Sequence, residues 1–340
     1  MRTTLVRVTR AILVVTLATL VVLATVAAWA PAVPATVEPA DRGAADARGR
    51  IFFARAGGQY GDETLFTADA DGTNERQLTS THGYCCQAVA PDGARIMVMT
   101  EDQPPGEPLT GGTIELDDLA FARLPLTDPT LNLVPQAWSP DGARIAFEGW
   151  DDTDPSRTGV YTARFADGGG LTRLSSVEGV HDIPSDYSPD GRMIVFFRSG
   201  APEPAPYDIG GSLWIAAADG TGVRRLDITG TIPSWWARWS PNGKSILFAS
   251  ARLHEPGALW TIRPDGTKLT KVFEDAEGRF PITPTWSPDG KQIMFALDPV
   301  SDEFQHPANE IYTIDANGKG LRQIIGGQDF KRRFEWVKAD

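Results

Sequence analysis

A near-repeat with a period of 47–52 residues constrains this chain more than any other feature. AWSPDGARIAF at 137–147 returns as AVAPDGARIMV at 88–98, DYSPDGRMIVF at 186–196, RWSPNGKSILF at 238–248 and TWSPDGKQIMF at 285–295. The position ahead of the serine is Val89, Trp138, Tyr187, Trp239 and Trp286, at spacings of 49, 49, 52 and 47. A fixed period of this size signals a repeat architecture. A second element follows in each period: an aromatic, a turn, then an apolar residue. It reads LFTADADGTNERQL (65–78), VYTARFADGGGLTRL (160–174), LWIAAADGTGVRRL (213–226), LWTIRPDGTKLTKV (259–272) and IYTIDANGKGLRQI (311–324), with AFARLPLTDPTLNL (120–133) as a looser copy. Each unit is therefore four short apolar runs separated by turns, the pattern of a four-stranded propeller blade.

The second element occurs six times and the complete first element five times. The remaining first element is split. FEWVKAD at the C-terminus puts Trp336 fifty residues after Trp286, and RGRIFFA at 48–54 resumes at the second strand, with Ile51 and Phe53 matching Ile145 and Phe147. The expectation is an all-β, six-bladed propeller over residues 49–340. The last residues supply the inner strand of blade 1, which removes free sheet edges at the closure.

The W-S-P-D-G-x-x-I-x-F signature resembles that of the TolB-type β-propeller family, and the resemblance covers almost all of the chain after residue 48. It implies the propeller fold. Two-domain members of that family carry an α/β domain ahead of the propeller. Here only an apolar segment and a linker are expected before blade 1.

The motif residues read as scaffold. Pro presets φ at a turn's second position, Asp suits the next, and Gly accepts φ > 0. Serine recurs at Ser139, Ser188, Ser240 and Ser287, with Ala90 in the fifth copy, which a catalytic nucleophile would not do. No Gly-x-Ser-x-Gly elbow is present. The Asp-Gly turn at Asp69, Asp71 and Gly72 invites a calcium reading, but Leu78 stands where a calcium loop needs its closing Glu.

Arg2, Arg7 and Arg10 precede an uncharged apolar run from Ala11 to Ala30, an export pattern long enough to span a bilayer as a helix. Residues 1–35 are thus a signal peptide cut after Ala35 or an uncleaved N-terminal anchor helix, and 36–48 a linker. Either way the bulk of the chain is expected outside the cytoplasm, touching membrane only through an uncleaved segment. The net charge of −12 becomes −15 without the three arginines of residues 1–35, which argues against nucleic acid as a partner. The two cysteines, Cys85 and Cys86, are adjacent. A bond between them would close a strained ring.

In such a blade the Ser-Pro-Asp-Gly and Asp-Gly turns share one end of the ring. The longer segments 101–118, 149–159, 199–212 and 298–310 share the other, and binding groups favour loops held on a rigid frame. Candidate ligand-binding residues at that face and the channel mouth are Tyr84, Gln87, Gln136, Asp182, Trp235, Trp236, Arg238, Arg332 and Arg333, with Ser185 and Lys331 beside them. Arginine offers forked hydrogen bonds and tryptophan an aromatic anchor. Metal candidates are weaker: His82, His181, His254 and His306, which come from four blades, and Asp151 and Asp152. No cofactor is expected. The function these features imply is an exported, monomeric, non-catalytic binding module that presents its loop face to a protein or cell-envelope ligand. The alternative is a metal-assisted lyase or hydrolase acting on sugars or lactones at the same face.

Overall fold

In the computed structural model the described residues are 49–56, 63–79, 84–100, 106–177, 180–199, 211–228, 236–252, 255–299 and 308–338. The apolar helix expected over 11–30 lies outside them. Among the described residues no helix is long and apolar enough to cross a membrane.

The described strands form six four-stranded sheets. Blade 1 holds β1 (Arg50–Ala56), β2 (Glu63–Asp69) and β3 (Arg76–Gln77). Blade 2 is β4 (Tyr84–Val89), β5 (Arg95–Thr100), β6 (Gly111–Glu115) and β7 (Phe121–Arg123). Blade 3 is β8 (Asn132–Trp138), β9 (Arg144–Trp150), β10 (Gly159–Arg164) and β11 (Thr172–Arg173). Blade 4 is β12 (Asp182–Tyr187), β13 (Met193–Arg198), β14 (Ser212–Ala217) and β15 (Arg224–Arg225). Blade 5 is β16 (Arg238–Trp239), β17 (Ile246–Arg252), β18 (Glu255–Ile262) and β19 (Thr270–Glu274). Blade 6 is β20 (Phe280–Trp286), β21 (Gln292–Asp298), β22 (Glu310–Asp315) and β23 (Arg322–Ile325). The C-terminal β24 (Phe330–Val337) pairs antiparallel with β1, setting Ile51 opposite Trp336 as Ile145 is set opposite Trp138. The split blade is therefore closed in the expected register. The inner strands β24, β4, β8, β12, β16 and β20 each neighbour the next around the ring, and β20 returns to β24.

Both faces of each sheet are covered by a neighbouring blade, so the strands read as short continuous apolar runs instead of alternating ones. In β5 (RIMVMT) only Arg95 is not fully buried. The core is six slabs, one at each interface. Met97 and Leu124 of blade 2 meet Trp138 and Phe147 of blade 3, and Ile311 and Ile325 of blade 6 meet Ile51 and Trp336 of blade 1. The motif phenylalanines Phe53, Phe147, Phe196, Phe248 and Phe295 are all fully buried. Each contributes on the order of 1.5–3 kcal/mol by leaving water.

The turns explain the motif. Ser139 Oγ donates to Asp141 Oδ1 at 2.6 Å and accepts from Arg144 N at 2.8 Å, while Asp141 also accepts from Ala143 N. Ser188 with Asp190, Ser240 with Asn242 and Ser287 with Asp289 repeat this. The serine ties the turn to the start of the second strand, and all four serines are buried. The Asp-Gly turns use a similar device: Asp71, Asp219 and Asp265 accept from the backbone and hydroxyl of a threonine two residues on. These carboxylates are occupied by their own turns.

Blade 2 departs from the sequence expectation. Its second element is not 120–133 but 111–124, and β6 occupies the latter half of the loop expected over 101–118. Two substitutions hide it. Gly112 stands at the aromatic position, where the Phe121 ring fills the space a Cβ would need, 2.3 Å away. Leu119 takes the positive φ that glycine supplies in the other blades.

Candidate functional site at the ring axis

The residues that face one another across the ring come from equivalent places in the six inner strands. The position just before the motif aromatic is Ala88, Ala137, Asp186, Arg238, Thr285 and Glu335 in blades 2, 3, 4, 5, 6 and 1. Two adjacent blades carry only a methyl group there, and three others carry charge. Arg238 Nη2 donates to Glu335 Oε1 at 2.6 Å, reaching past blade 6. Asp186 Oδ2 accepts the Trp239 N–H of the next blade at 2.8 Å. Burial pushes the Asp186 carboxyl up to about 7, with Arg238 only partly offsetting it. Burial also raises Glu335. For Arg238 burial disfavours the charge, but Glu335 and Asp186 outweigh it and its pKa rises.

Beside this charged arc the two alanines leave room. A cleft of about 190 Å³ is bounded by Ala88, Ala137, Asp186, Arg238 and Glu335 and reaches the exposed turn prolines Pro91 and Pro140. Its walls come from five of the six blades, so it lies at the axis. It opens at the Ser-Pro-Asp-Gly end, opposite the end that the loop lengths favour. Short turns do not roof the axis, and the small side chains beneath them leave a gap.

One layer deeper, three non-glycine residues hold positive φ at the same position, three before the aromatic: Trp236 (71°), Thr283 (46°) and Arg333 (60°). Blades 3 and 4 have Pro135 and Pro184 there, whose rings forbid that conformation. The inner strands of blades 6 and 1 slip register at this point, as β-bulges do. The Arg333 guanidinium lies 5.1 Å over the Trp236 ring, and its Nη1 donates to Gln136 Oε1 at 3.3 Å. Gln87 Nε2 donates to the Arg333 carbonyl at 2.8 Å.

Of the residues singled out from sequence, the structure thus gathers Gln87, Gln136, Trp236, Arg238 and Arg333 at the axis. It commits others elsewhere. Asp182 is buried in a two-pronged pair with Arg198 and accepts from Ser175 Oγ. Arg332 is ion-paired with the fully buried Glu63. Lys331 is buried, its Nζ donating to the Asn309 and Asp329 carbonyls, and Ser185 is buried. Tyr84 begins β4 opposite Thr100. The side chains of Tyr84, Cys85 and Cys86 lie outside the described residues, as do Trp235, His82, His254 and His306.

His181 Nδ1 is 3.0 Å from Glu148 Oε1, and its ring lies edge-on to Trp150. Asp151 bridges Thr130 and Arg157, and Arg157 also holds Asp128. Hydrogen bonds from Thr153, with Thr130 and Arg157, hold the Asp151 carboxyl well below the usual carboxylate range. Asp152 accepts from Trp150 Nε1. Among the described residues no three His, Cys, Asp or Glu side chains converge as a metal-binding group.

Sequence reasoning missed Asp186 and Glu335. The signal was present in the column before the aromatic, where the repeats carry two alanines, a threonine and three charged residues. It is visible only when the copies are compared position by position.

Three comparisons bear on this architecture. Residues 40–337 match the model of the TolB beta propeller domain. An uncharacterized protein of Agrobacterium fabrum is 29% identical over 169 residues, which span 48% of this chain and 49% of that relative; the match thus covers about half the relative's length. Among solved structures, TolB from Acinetobacter baumannii superposes with a TM-score of 0.65 at 17% identity, over 86% of this chain and 67% of that one. An oligogalacturonate lyase from Vibrio parahaemolyticus superposes with a TM-score of 0.54 at 12% identity, over 81% and 79%. At these identities the two superpositions establish the fold alone. The family match, which spans the whole described ring, establishes more: this chain belongs to the TolB β-propeller family.

Proposed function

We propose that the chain is an exported, non-catalytic binding module that recognises a protein or cell-envelope ligand at the loop-face mouth of its channel. One observation carries this reading. Four blades bring Gln87, Gln136, Trp236 and Arg333 together, with the arginine stacked on the tryptophan. A guanidinium on an aromatic face, fixed by a bulged strand, is a pre-ordered surface for a polar or acidic segment. The basic N-terminal flank and apolar run support a location outside the cytoplasm.

The test is photo-crosslinking from the loop face in the native envelope, followed by identification of the captured protein. Arg333→Glu should abolish the crosslink while the thermal unfolding curve stays cooperative. A crosslink of unchanged yield in that variant would overturn the reading. The competing metal-assisted enzyme reading requires a bound divalent ion, which elemental analysis of the purified chain detects.

A further inference from the structure

The cleft at the Ser-Pro-Asp-Gly end presents different chemistry from the loop-face mouth. Two carboxylates, Asp186 and Glu335, share it with one guanidinium. Arg238 makes its ion pair with Glu335. Among the described residues no cation is in salt-bridge contact with Asp186, whose Oδ2 is held by a neutral backbone N–H. Arg333 stands a layer deeper, engaged by Gln136 and Trp236, and its charge acts on Glu335. Asp186 thus brings to the edge of a cavity a carboxyl whose charge Arg238, committed to Glu335, offsets only in part. A charge in that position is costly unless a counter-charge arrives. Ala88, Val89, Ala137 and Trp138 form an apolar side, with Tyr187 beside Asp186 and the rings of Pro91 and Pro140 at the rim.

We propose that this cleft is a second binding site, for an alkylammonium group: the cationic end docks on Asp186 and Glu335, and its methylene stem lies along the alanine–proline wall. The cleft's volume and apolar side favour an organic cation over a bare ion, which needs converging oxygen ligands instead. The charge of −15 on residues 36–340 draws cations toward the ring. The proposal stands apart from the loop-face reading, because Arg333 and Asp186 are tested separately.

The experiment is isothermal titration calorimetry of the full-length chain at low ionic strength. One probe is the peptide acetyl-Gly-Gly-Lys-Gly-Gly-amide and the other is spermidine. Saturable one-to-one binding is expected. A preference for the peptide identifies a polypeptide lysine as the source, and a preference for spermidine a free polyamine. The double variant Asp186→Asn/Glu335→Gln keeps the acceptors for Trp239 N–H and Arg238, and should weaken binding by roughly thirty-fold or more. Removing two exposed charges instead, Glu107→Gln/Glu277→Gln, should leave it unchanged. If the first double variant does not fold, Ala137→Leu, which fills the cleft and keeps its charges, must abolish binding. Equal weakening in both double variants, equal binding of the same peptide with its lysine side chain acetylated on Nζ, or no saturable binding would each overturn the proposal.

Discussion

The two mouths of the channel use their charged side chains differently. At the loop end several ionic side chains are paired, Asp182 with Arg198, Asp151 and Asp128 with Arg157, and Glu63 with Arg332, while burial pushes the Asp298 carboxyl up to about 7. These contacts staple connections to strands. At the turn end the connections are minimal and their Ser and Asp side chains are absorbed in their own turns, yet Asp186 sits by an open cleft without an ion pair among the described residues. Among the described residues the axial cleft lies beneath the short turns, where small side chains in one column of the repeat leave room.

The largest effect that tests the contrast is at the loop end. Asp182→Ala should cost about 3–5 kcal/mol, because it strands Arg198 beside a buried hydroxyl. Chemical denaturation measures it, and a loss below about 1 kcal/mol would show the staple to be dispensable.

At the turn end the sign reverses. Asp186 ionises in the folded ring only near pH 7, above its unfolded value. Folding therefore takes up a proton between these values, and stability falls as pH rises through that window. Asp186→Asn should flatten this dependence and stabilise the protein at pH 8 by about 1–2 kcal/mol, a figure reduced for solvent in the cleft. Thermal unfolding of both proteins from pH 5 to 8 is the measurement, and parallel curves would contradict the assignment.

Removing a turn carboxylate should matter less. Asp141→Ala loses the hydrogen bonds to Ser139 Oγ and Ala143 N and should cost about 1 kcal/mol without changing ligand binding at either mouth. A binding defect with unaltered stability would give the motif a functional role.

The smallest effect concerns the bulge layer. Thr283 is β-branched at φ 46°. Thr283→Asn, a residue that tolerates this region, should gain about 0.5–1 kcal/mol of stability, measured by chemical denaturation. Destabilisation would mean that its buried hydroxyl is better served than its backbone.

Much of this was legible in the chain. The period, the strand-turn alternation and Trp336 fifty residues after Trp286 specify six blades and their closure, because each depends on local pattern and on equal spacing. Blade 2 was misread where Gly112 and Leu119 replace the aromatic and the turn glycine. There a neighbouring ring and a strained backbone supply what the local sequence lacks. At the axis, Gln87, Gln136, Trp236, Arg238 and Arg333 were legible as residues at the inner strands. Which of them meet was not, because residues from different blades touch only after the ring closes.

By itself the sequence determined the repeat, the turn chemistry and the blade count, all set by interactions within about fifty residues. Closure of the ring brings Arg238 to Glu335 across 97 positions, commits Arg332 to Glu63 and leaves a cleft between two alanines and Asp186. Those outcomes depend on which side chains six separate strands bring to one axis, and on what burial there does to their charge.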